Sequence, residues 1–535
     1  MLSRHKYFLL TVLVGGFFLW LTLWFGVGTD QSIFIYGAWV WRHFHEPAYV
    51  GAWDPNFPGI FIIHLLVMRL FGESILAYRF FDFLAQVLSI SMIYYLARKV
   101  SGSEAAGFLS GILFAIFYFG SGMTDTAQRE GLILCLELIA LALSFRLEKR
   151  VWTRAVIAGA LLGFAFLIKP THGLAWLVFG AWFLAEGIKA GRKTVWLELL
   201  VLAFFCLLPA LLVIFYYWRL GYIHELYLTT VWYNFAIYRH TPNVIFASMP
   251  RWIALLTVSN QILMQSPLIF LSALFALLAA RAQIKIDAQK KLLPLIAAMA
   301  IVGLFSYLSF RKYFPYHLMP FWGFLSVLSG WGWQAIAAQF LDKGEQGRAK
   351  TGRAIFYAGV VLLMLVSINP EQPIFAAQHV FRNLHSAYLD ENGYYSDPHQ
   401  TIENYVAASR LKAILRPGDQ IEFFGSYPLL PFLLKQKLSS RFCAMQFLLS
   451  SPPGSEMTDQ QRKWFAEYSA AILKSHPRFF VIQDFIPGYL GMNFPSQHLK
   501  DFLPSYFPEL DRFLRQNYKL VSKVGSIEIY ERVWN

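Results

Sequence analysis

Long apolar segments separated by short polar loops fill the first two thirds of the chain. A helix needs about 20 apolar residues to cross a bilayer. Segments close to that length predict about eleven membrane-spanning helices, at 7–25, 75–97, 104–120, 129–146, 153–168, 173–188, 195–217, 260–280, 292–310, 316–338 and 354–369. The apolar segment 58–71 is shorter and contains His64 and Arg69, which favours an interfacial or re-entrant helix.

From about residue 370 the pattern changes, because prolines and many polar residues interrupt the apolar segments. Strand-like segments at 421–425 and 478–484 alternate with a helical stretch near 429–436. We therefore expect a polytopic α-helical membrane domain over 1–369. A small α/β domain should follow over 370–535.

Charge supports the membrane assignment and gives an orientation. Only 15% of the residues are charged and 57% are hydrophobic, whereas about a quarter of a soluble chain is charged. The net charge of +14 arises largely in every second loop, and such basic loops stay in the cytoplasm. We therefore predict a multi-pass protein of the cell inner (plasma) membrane, with a cytoplasmic N-terminus and an extracytoplasmic C-terminal domain. No basic stripe interleaved with aromatic residues indicates nucleic-acid binding.

Several classes of site lack their sequence signatures. Cys135, Cys206 and Cys443 lie far apart without a CxxC pair, so neither a disulfide framework nor a cysteine zinc site is indicated. No Walker loop, GxSxG, HExxH or dinucleotide fingerprint is present. The first apolar segment follows a basic N-terminus without a small-residue cleavage site, which predicts a retained span.

Two long outer loops, 26–74 and 218–259, indicate that the working surface faces outward. Asp30 lies at the outer end of the first predicted span. It either caps the helix that begins near Gln31 or acts as a general base toward an acceptor hydroxyl. We favour the base, because this chemistry needs a carboxylate close to the lipid head groups.

Other polar residues of the outer loops divide between two interpretations. Asp54 lies among aromatic residues that suit either a sugar ring or the membrane interface. Asp125 and Glu130 stand at the start of a span, and Glu130 adjoins Arg129. Either Arg129 and Glu130 form a surface ion pair, or one of the acids binds the acceptor, the sugar or a divalent cation. No metal site is predicted from spacing, and a divalent metal is left open as a cofactor.

Two further outer segments carry polar candidates, and in the first a lysine goes against the charge bias. Lys169 and His172 lie in LIKPTHGL, where an anionic lipid head or a substrate phosphate would be a suitable partner. The alternative is that Lys169 extends to bulk water. In the loop 218–259, the polar residues Asn234, Arg239 and His240 predict either a substrate lid or a packed amphipathic helix.

The segment FRKYFPYHLMPF (310–321) concentrates polar side chains between two predicted spans. These candidates for substrate or phosphate binding are Arg311, Lys312, Tyr313, Tyr316 and His317. Arginine and lysine together can clamp a phosphate and stabilise the charge of a departing group. The other interpretation is an anchor for anionic lipids.

Together these motifs resemble the GT-C superfamily of polyprenyl-phosphate-sugar-dependent glycosyltransferases. The closer similarity is to the branch with the lipid A aminoarabinose transferases and the protein O-mannosyltransferases. It covers about 1–370 and is carried by TDQSIF, PAYVGAWDPNFPGIFIIHLL followed by LFGESILAYRFFDFL, LIKPTHGL and KYFPYHLMPF. The chain departs from the aminoarabinose transferases at Asn56 and Phe57, because those enzymes have a lysine before the prolines of the first loop.

The resemblance implies a GT-C-like fold and a hexosyl- or pentosyltransferase that needs no nucleotide-sugar. Asp30 would be the base, assisted by Glu130 or Asp125. The carrier phosphate would be bound by Lys169, Arg311 and Lys312, with His317 as a further candidate. Configuration at the sugar would invert, and the acceptor would be a lipid, a polysaccharide or a protein.

Two other classes compete with the enzyme. A lipid or glycan transporter (flippase) would also be polytopic, with repeated halves and charges near the bilayer midplane. Here the polar clusters lie at the outer ends of spans, and no internal repeat is found. A non-catalytic assembly or sensor protein would use the C-terminal domain as a binding module.

Overall fold

A computed structural model of the chain describes residues 5–241, 243, 246, 248–283, 287–341, 346–368, 401–451, 455–484 and 498–533. Up to residue 368 the described chain is helical, and no strand is found there. The helices are α1 (Lys6–Trp24), α2 (Thr29–Phe44), α3 (Pro58–Phe71), α4 (Ile75–Ser101), α5 (Glu104–Gly120), α6 (Gly122–Asp125), α7 (Arg129–Arg146), α8 (Val151–Ile168), α9 (Leu174–Lys189), α10 (Val195–Arg219), α11 (Ile223–Tyr227), α12 (Tyr233–Ala236), α13 (Arg251–Gln265), α14 (Pro267–Gln283), α15 (Asp287–Ser309), α16 (Met319–Leu341) and α17 (Gln346–Val366).

Within the described chain, five helices are long and apolar enough to cross a membrane: α1, α4, α8, α10 and α15. Counting the bent pair α13–α14 as one span gives up to six. The chain is thus a multi-pass membrane protein. The remaining predicted spans also coincide with helices, such as α5 and α7, and the total of about eleven spans stays a prediction.

The span predicted at 260–280 coincides with a broken helix. Helices α13 and α14 meet there at an angle of 89°. Ser266 between them has φ −155° and ψ 74°, and Pro267 begins α14. Proline disfavours helical geometry in the residue before it and has no amide hydrogen to donate, so the helix ends at this point.

The predicted first outer loop, 26–74, is a packed layer rather than an open loop. Its two helices, α2 and α3, bury most of their side chains. The backbone at Gly28 is extended where α2 begins, and α2 ends at His45 in the left-handed region. Pro58 occupies the first turn of α3, where its missing amide hydrogen would have had no helical partner.

The described residues after 400 form a mixed four-stranded sheet with helices around it. Its elements are α18 (Thr401–Ile414), β1 (Ile421–Phe424), α19 (Leu429–Leu434), α20 (Met445–Leu449), α21 (Asp459–Ser475), β2 (Phe479–Gln483), α22 (Phe502–Tyr506), α23 (Pro508–Asn517), β3 (Tyr518–Val524) and β4 (Ile527–Arg532). The strand order is β1-β2-β4-β3, in which β1 and β2 are parallel and the other pairs antiparallel. The predicted domain boundary near 370 lies outside the described residues.

The sheet-containing part packs directly on the outer loops of the helical part. One hydrophobic core contains residues of both. The Trp53 ring lies 5.0 Å from that of Trp464, and the Tyr427 hydroxyl donates a hydrogen bond to the Val27 carbonyl. Tight contacts of this kind hold the sheet-containing part over the helix ends, where it can contribute to a shared cavity.

Candidate active site

A cavity of about 720 Å³ lies where the outer loops meet the sheet-containing part. Its described lining residues come from many separate segments: 28–31, 55–57, 124–125, 128–129, 168–171, 230, 234–235, 238–239, 243, 309–310, 313–316 and 447. Cavities of this volume hold ligands of small-molecule size. The cavity therefore joins the first outer loop, the loop 218–259 and the 310–321 segment around one space.

Asp30 lies in the wall of this cavity, in the first turn of α2. Its carboxylate makes no capping hydrogen bond to the helix, so the capping role considered from the sequence is not observed. Instead it accepts a hydrogen bond of 2.8 Å from the hydroxyl of Tyr316. Tyr316 belongs to a single 3₁₀ turn, Pro315–Leu318. The structure thus brings Asp30 and the 310–321 segment to the same surface.

The surroundings of Asp30 shift its pKa upward. Burial raises the pKa of this carboxyl above its ordinary value, while the charge of Arg129 and the hydrogen bond from Tyr316 act in the opposite direction. A carboxylate with a raised pKa accepts a proton more readily than an exposed one. The geometry and the pKa together suit Asp30 to general-base chemistry.

A buried ionic cluster stands beside Asp30. The Glu130 carboxylate is fully buried and lies 2.8 Å from the Lys169 ammonium, 3.3 Å from the Arg129 guanidinium and 3.6 Å from the His317 imidazole. Arg129 and Lys169 line the cavity, and Glu130 and His317 do not. Glu130 therefore pairs with two cationic side chains of the cavity wall, while its own carboxylate lies outside the cavity lining.

This cluster changes two interpretations made from the sequence. The pair of Arg129 and Glu130 is buried rather than on the surface, because Glu130 is 0% exposed. Lys169 is 2% exposed and is neutralised by a protein carboxylate, so it does not extend to bulk water. Burial lowers the pKa of Lys169 to about 8, although the adjacent Glu130 opposes that shift.

Asp125 is the second carboxylate that lines the cavity. No hydrogen-bond or ion-pair partner of its side chain occurs in the parts of the chain that the structure describes. Burial, together with the charge of Glu130, raises the pKa of Asp125 to about 7. An unpaired carboxyl of this kind is available to a ligand in the cavity.

The two cations predicted to form a phosphate clamp lie elsewhere. Arg311 is exposed, and neither Arg311 nor Lys312 is among the lining residues. The Lys312 ammonium donates to the carbonyl and hydroxyl of Thr241, at 2.9 Å for the hydroxyl, and lies 4.1 Å from the Tyr238 ring centre. Arg311 and Tyr313 both have positive φ angles, and the turn they form presents Tyr313 rather than its basic neighbours to the cavity.

Two further candidates are buried behind the cavity. His172 is fully buried, and its Nδ1 lies 2.8 Å from the Glu137 carboxylate. Asp54 is also fully buried, and it accepts a hydrogen bond of 2.9 Å from the backbone amide of Asn56. Neither side chain lines the cavity. Each has a polar partner in the protein through one atom and does not face the cavity.

The loop 218–259 supplies another wall. Asn234 and Arg239 line the cavity, whereas the exposed His240 does not. The Asn234 side chain donates hydrogen bonds of 2.8 Å to the Pro55 carbonyl and 2.9 Å to the Thr230 carbonyl. This contact ties the loop to the first outer loop. The predicted lid extends into positions 242, 244, 245 and 247, which lie outside the described residues.

Several residues that line the cavity were not predicted from the sequence. Phe447 comes from α20 in the sheet-containing part, far from the first outer loop in sequence, and no local pattern marks it. Gln31 adjoins Asp30, and its side chain donates a hydrogen bond of 3.0 Å to the Thr126 carbonyl. A polar residue beside a candidate base was a usable signal for Gln31, whereas Phe447 required the folded structure.

Over the described residues, no group of three or more histidine, cysteine, aspartate or glutamate side chains is arranged to hold a metal ion. Carboxylate oxygens suit divalent cations such as Mg²⁺, and the cavity wall offers Asp30 and Asp125. These two carboxylates are the candidates for contact with a cation brought by a substrate.

The chain is similar to known proteins in part of its sequence and in its fold. Residues 55–218 match the family of dolichyl-phosphate-mannose-protein mannosyltransferases. No curated protein matches the chain by sequence. Among solved structures, ArnT from Cupriavidus metallidurans bound to undecaprenyl phosphate is 14% identical with a TM-score of 0.56. The match covers 99% of this chain and 98% of that one.

Two further structures are similar over the whole chain. ArnT from Cupriavidus metallidurans in the apo state gives a TM-score of 0.57 at 14% identity, covering 99% of this chain and 98% of that one. The oligosaccharyltransferase from Archaeoglobus fulgidus tethered with an acceptor peptide gives 0.50 at 13% identity, covering 100% of this chain and 74% of that one. At these identities the likeness establishes a shared fold.

Proposed function

We propose that this chain is a member of the GT-C superfamily of membrane glycosyltransferases and that it transfers a sugar from a polyprenyl-phosphate carrier to an acceptor hydroxyl. In this proposal the reaction takes place on the outer face of the membrane. Asp30 is the general base, and the configuration at the sugar inverts.

One observation carries the proposal: the same cavity contains the Asp30 carboxylate and the cationic groups of Arg129 and Lys169. Sugar transfer from a lipid phosphate needs a base for the acceptor and positive charge for the leaving phosphate. Arg239 adds a third cation to the lining. A cavity of about 720 Å³ also has room for a sugar together with its phosphate.

The mechanism follows from these positions. Asp30 orients the acceptor hydroxyl and takes its proton while that oxygen attacks the anomeric carbon of the sugar. A new glycosidic bond forms as the bond between the anomeric carbon and the phosphate oxygen breaks on the opposite face. The phosphate leaves with the bonding electrons, and the positive charges of Arg129 and Lys169 stabilise it.

Glu130 has a supporting role in this mechanism. Its carboxylate is 2.8 Å from Lys169 and 3.3 Å from Arg129, and it lies outside the lining. It neutralises part of their charge in the absence of substrate and keeps both side chains directed at the cavity. Asp125 is unpaired and lines the cavity, so we assign it to acceptor or sugar contact.

The similar structures support this donor class. The ArnT structure is bound to undecaprenyl phosphate, a polyprenyl phosphate. The Archaeoglobus fulgidus enzyme is tethered with an acceptor peptide. By analogy, the partners proposed for this chain are a polyprenyl-phosphate-linked sugar and a lipid, polysaccharide or protein acceptor.

The orientation proposed for the chain rests on loop charge. The cation-rich loops, such as 146–154 and 189–193, join the opposite ends of the helices from those that surround the cavity. By the positive-inside rule the basic loops are cytoplasmic. The cavity, the sheet-containing part and the carrier phosphate would then share the extracytoplasmic side.

The proposal is tested with the purified full-length chain in lipid nanodiscs. It is incubated with defined polyprenyl-phosphate sugars and with lipid, polysaccharide and protein acceptor fractions, and free polyprenyl phosphate is quantified. We expect carrier release that depends on an acceptor. NMR should show that the anomeric configuration of the product is inverted relative to that of the donor. Retention of configuration would exclude the single-displacement mechanism.

A parallel experiment addresses the transporter alternative. The protein is reconstituted in liposomes with a fluorescent polyprenyl-phosphate sugar in one leaflet. Movement of the intact lipid between leaflets, without any carrier release, would favour a flippase over the proposed enzyme. The transferase proposal predicts carrier release and no acceleration of lipid movement.

A further inference from the structure

Arg79 makes an unusual set of contacts near the outer end of α4. Its side chain is 0% exposed. Its guanidinium donates to the Gly26 carbonyl at 2.8 Å through Nε and again through Nη2, to the Met123 carbonyl at 3.0 Å, and to the Thr126 hydroxyl at 2.9 Å. All of these acceptors belong to outer connections rather than to α4. A buried guanidinium here therefore links two loops.

The two linked loops both carry residues of the proposed active site. Gly26 precedes Asp30 by four residues, in the connection between α1 and α2. Met123 and Thr126 stand on either side of Asp125, in the connection between α5 and α7. Arg79 touches neither carboxylate and does not line the cavity. Its effect on Asp30 must pass through the backbone of these loops.

Neighbouring hydrogen bonds reinforce the same junction. The Tyr118 hydroxyl accepts from the Ala127 amide at 2.8 Å and donates to the Asp82 carboxylate at 2.8 Å. The Tyr78 hydroxyl donates to the Ala127 carbonyl. The backbone amide and carbonyl of Ala127 are thus both hydrogen-bonded to tyrosine side chains, from α5 and α4 respectively. Ala127 has a positive φ of 55°, a conformation that needs such support.

The loops also contact each other directly at this point. The Gln31 side chain donates to the Thr126 carbonyl at 3.0 Å. A methyl group added at Gly28 would lie 3.7 Å from the α-carbon of Thr124. The first turn of α2, which carries Asp30, therefore rests on the loop that Arg79 fixes. A shift of either loop would change the spacing between Asp30 and Arg129.

We propose that Arg79 is a positioning residue, which sets the spacing of Asp30 relative to Asp125 and Arg129 across the cavity. This inference rests on the proposed function of Asp30. Only arginine offers a planar fork of five donors, so lysine can satisfy part of the contacts but not all of them. Because an error of about 1 Å in a reacting group can slow a reaction by roughly 100-fold, losing this junction should lower kcat.

The test compares Arg79→Lys with Arg154→Lys. Arg154 is also 0% exposed, but its guanidinium lies 2.5 Å from Glu186 and 2.8 Å from Glu198. These contacts join α8, α9 and α10 at the end near the basic loops. Both variants keep the positive charge and disturb one buried arginine, so Arg154→Lys reports the general effect of such a change.

We expect Arg79→Lys to lower kcat by roughly 10- to 100-fold, with less than about a threefold change in KM for the polyprenyl-phosphate sugar. Arg154→Lys should lower Tm by a similar amount and leave kcat within about twofold of wild type. Equal kcat values in the two variants, at equal Tm, would overturn the positioning role.

A milder pair of variants covers the case in which Arg79→Lys fails to fold. Thr126→Val removes one hydroxyl contact of Arg79 with little change in shape, and Thr126→Ser restores a hydroxyl. We expect Thr126→Val to lower kcat and Thr126→Ser to recover most of it. A normal kcat in Thr126→Val would count against the proposal.

Hydrogen exchange separates this inference from the proposed function, because it needs no activity. In Arg79→Lys, amides in 26–31 and 122–128 should exchange faster together, whereas Arg154→Lys should leave both segments unchanged. If amide protection in 26–31 and 122–128 is unchanged in Arg79→Lys, the claim that Arg79 fixes these two loops is refuted, even if the enzyme is active. Faster exchange in a protein that transfers no sugar would preserve the junction and refute the proposed function.

Discussion

The Tyr316 hydroxyl donates a 2.8 Å hydrogen bond to the Asp30 carboxylate, across 286 positions of sequence. The bond connects the first turn of α2 to the 3₁₀ turn before α16. Both side chains lie in the wall of one cavity. Because the phenol donates to the ionised carboxylate, it favours the form of Asp30 that can act as a base.

This bond predicts a pH effect for Tyr316→Phe. Loss of the donor removes an interaction that lowers the pKa of Asp30, so the pKa of the variant should rise. The proposed base works only when ionised, and the acidic limb of the kcat/KM profile should therefore move to higher pH. The rate at alkaline pH should be largely retained. A limb that stays in place, or moves to lower pH, would contradict the role given to this hydrogen bond.

Lys169→Met should weaken binding of the carrier phosphate. A charge-assisted hydrogen bond contributes about 1.5–3 kcal/mol, so the Kd for polyprenyl phosphate should rise roughly 10- to 100-fold. The change also leaves Glu130, which is 2.8 Å from the Lys169 ammonium, with less compensation. We expect a lower Tm, measured by thermal unfolding in nanodiscs.

The double variant Lys169→Met, Glu130→Gln separates these two effects. Neutralising Glu130 removes the poorly compensated buried charge, so part of the lost Tm should return. Affinity for the carrier phosphate should remain low, because the cation is still missing. Recovery of wild-type affinity in the double variant would mean that Lys169 does not contact the phosphate.

Phe447→Leu should alter substrate recognition from within the sheet-containing part. Phe447 lines the cavity, and its carbonyl accepts a hydrogen bond of 2.5 Å from the Tyr233 hydroxyl. An aromatic face is worth about 0.5–1.5 kcal/mol beyond the buried area. KM for the donor or acceptor should therefore rise roughly 3- to 10-fold.

The matched control for this variant is Phe465→Leu. Phe465 is buried in the same part of the protein, packs 5.1 Å from the Phe507 ring and does not line the cavity. It should lower Tm without changing KM. Identical KM values in both variants would remove Phe447 from the substrate-contacting residues.

Asp125→Asn should change the pH dependence of stability. Burial raises the pKa of Asp125 to about 7, above the ordinary aspartate value of about 4. Between these values the folded protein binds more protons than the unfolded chain, so wild-type stability falls as the pH rises. The asparagine variant lacks this effect, so the Tm of Asp125→Asn minus the Tm of the wild type should increase from pH 5 to pH 8. A difference that is constant or shrinks with pH would contradict the environment assigned to Asp125.

The local elements were largely predictable from hydrophobic pattern. The predicted span 75–97 coincides with α4, and the strand segments 421–425 and 478–484 coincide with β1 and β2. The break inside the predicted span 260–280 has a local cause, because hydropathy averaged over a span does not register the single Pro267, before which one helix ends and with which the next begins.

The partners of the charged residues were harder to predict. Lys169 pairs with Glu130, 39 positions earlier, and nothing in LIKPTHGL indicates that choice. Arg311 and Lys312 stand out in sequence, yet positive φ angles at Arg311 and Tyr313 direct the turn so that tyrosine faces the cavity. Side-chain direction in such a turn depends on tertiary contacts that a sequence pattern does not contain.

Arg79 shows a different limit. A charged residue inside an apolar helix is visible in the sequence, but its partners are mainly backbone carbonyls. Every residue type carries a backbone carbonyl, so apart from the Thr126 hydroxyl the sequence gives no sign of the acceptors of Arg79. Only the folded arrangement of the loops that carry Gly26 and Met123 indicates what the guanidinium does.

The most direct measurement is single-turnover transfer by Asp30→Asn, with carrier-phosphate binding measured on the same sample. Asparagine keeps the shape and can still accept a hydrogen bond from Tyr316, but it cannot take a proton from the acceptor. We predict that the Kd for polyprenyl phosphate is unchanged and that the transfer rate falls by about 100- to 10,000-fold. Transfer at the wild-type rate by Asp30→Asn, with normal binding, would contradict the assignment of Asp30 as the base.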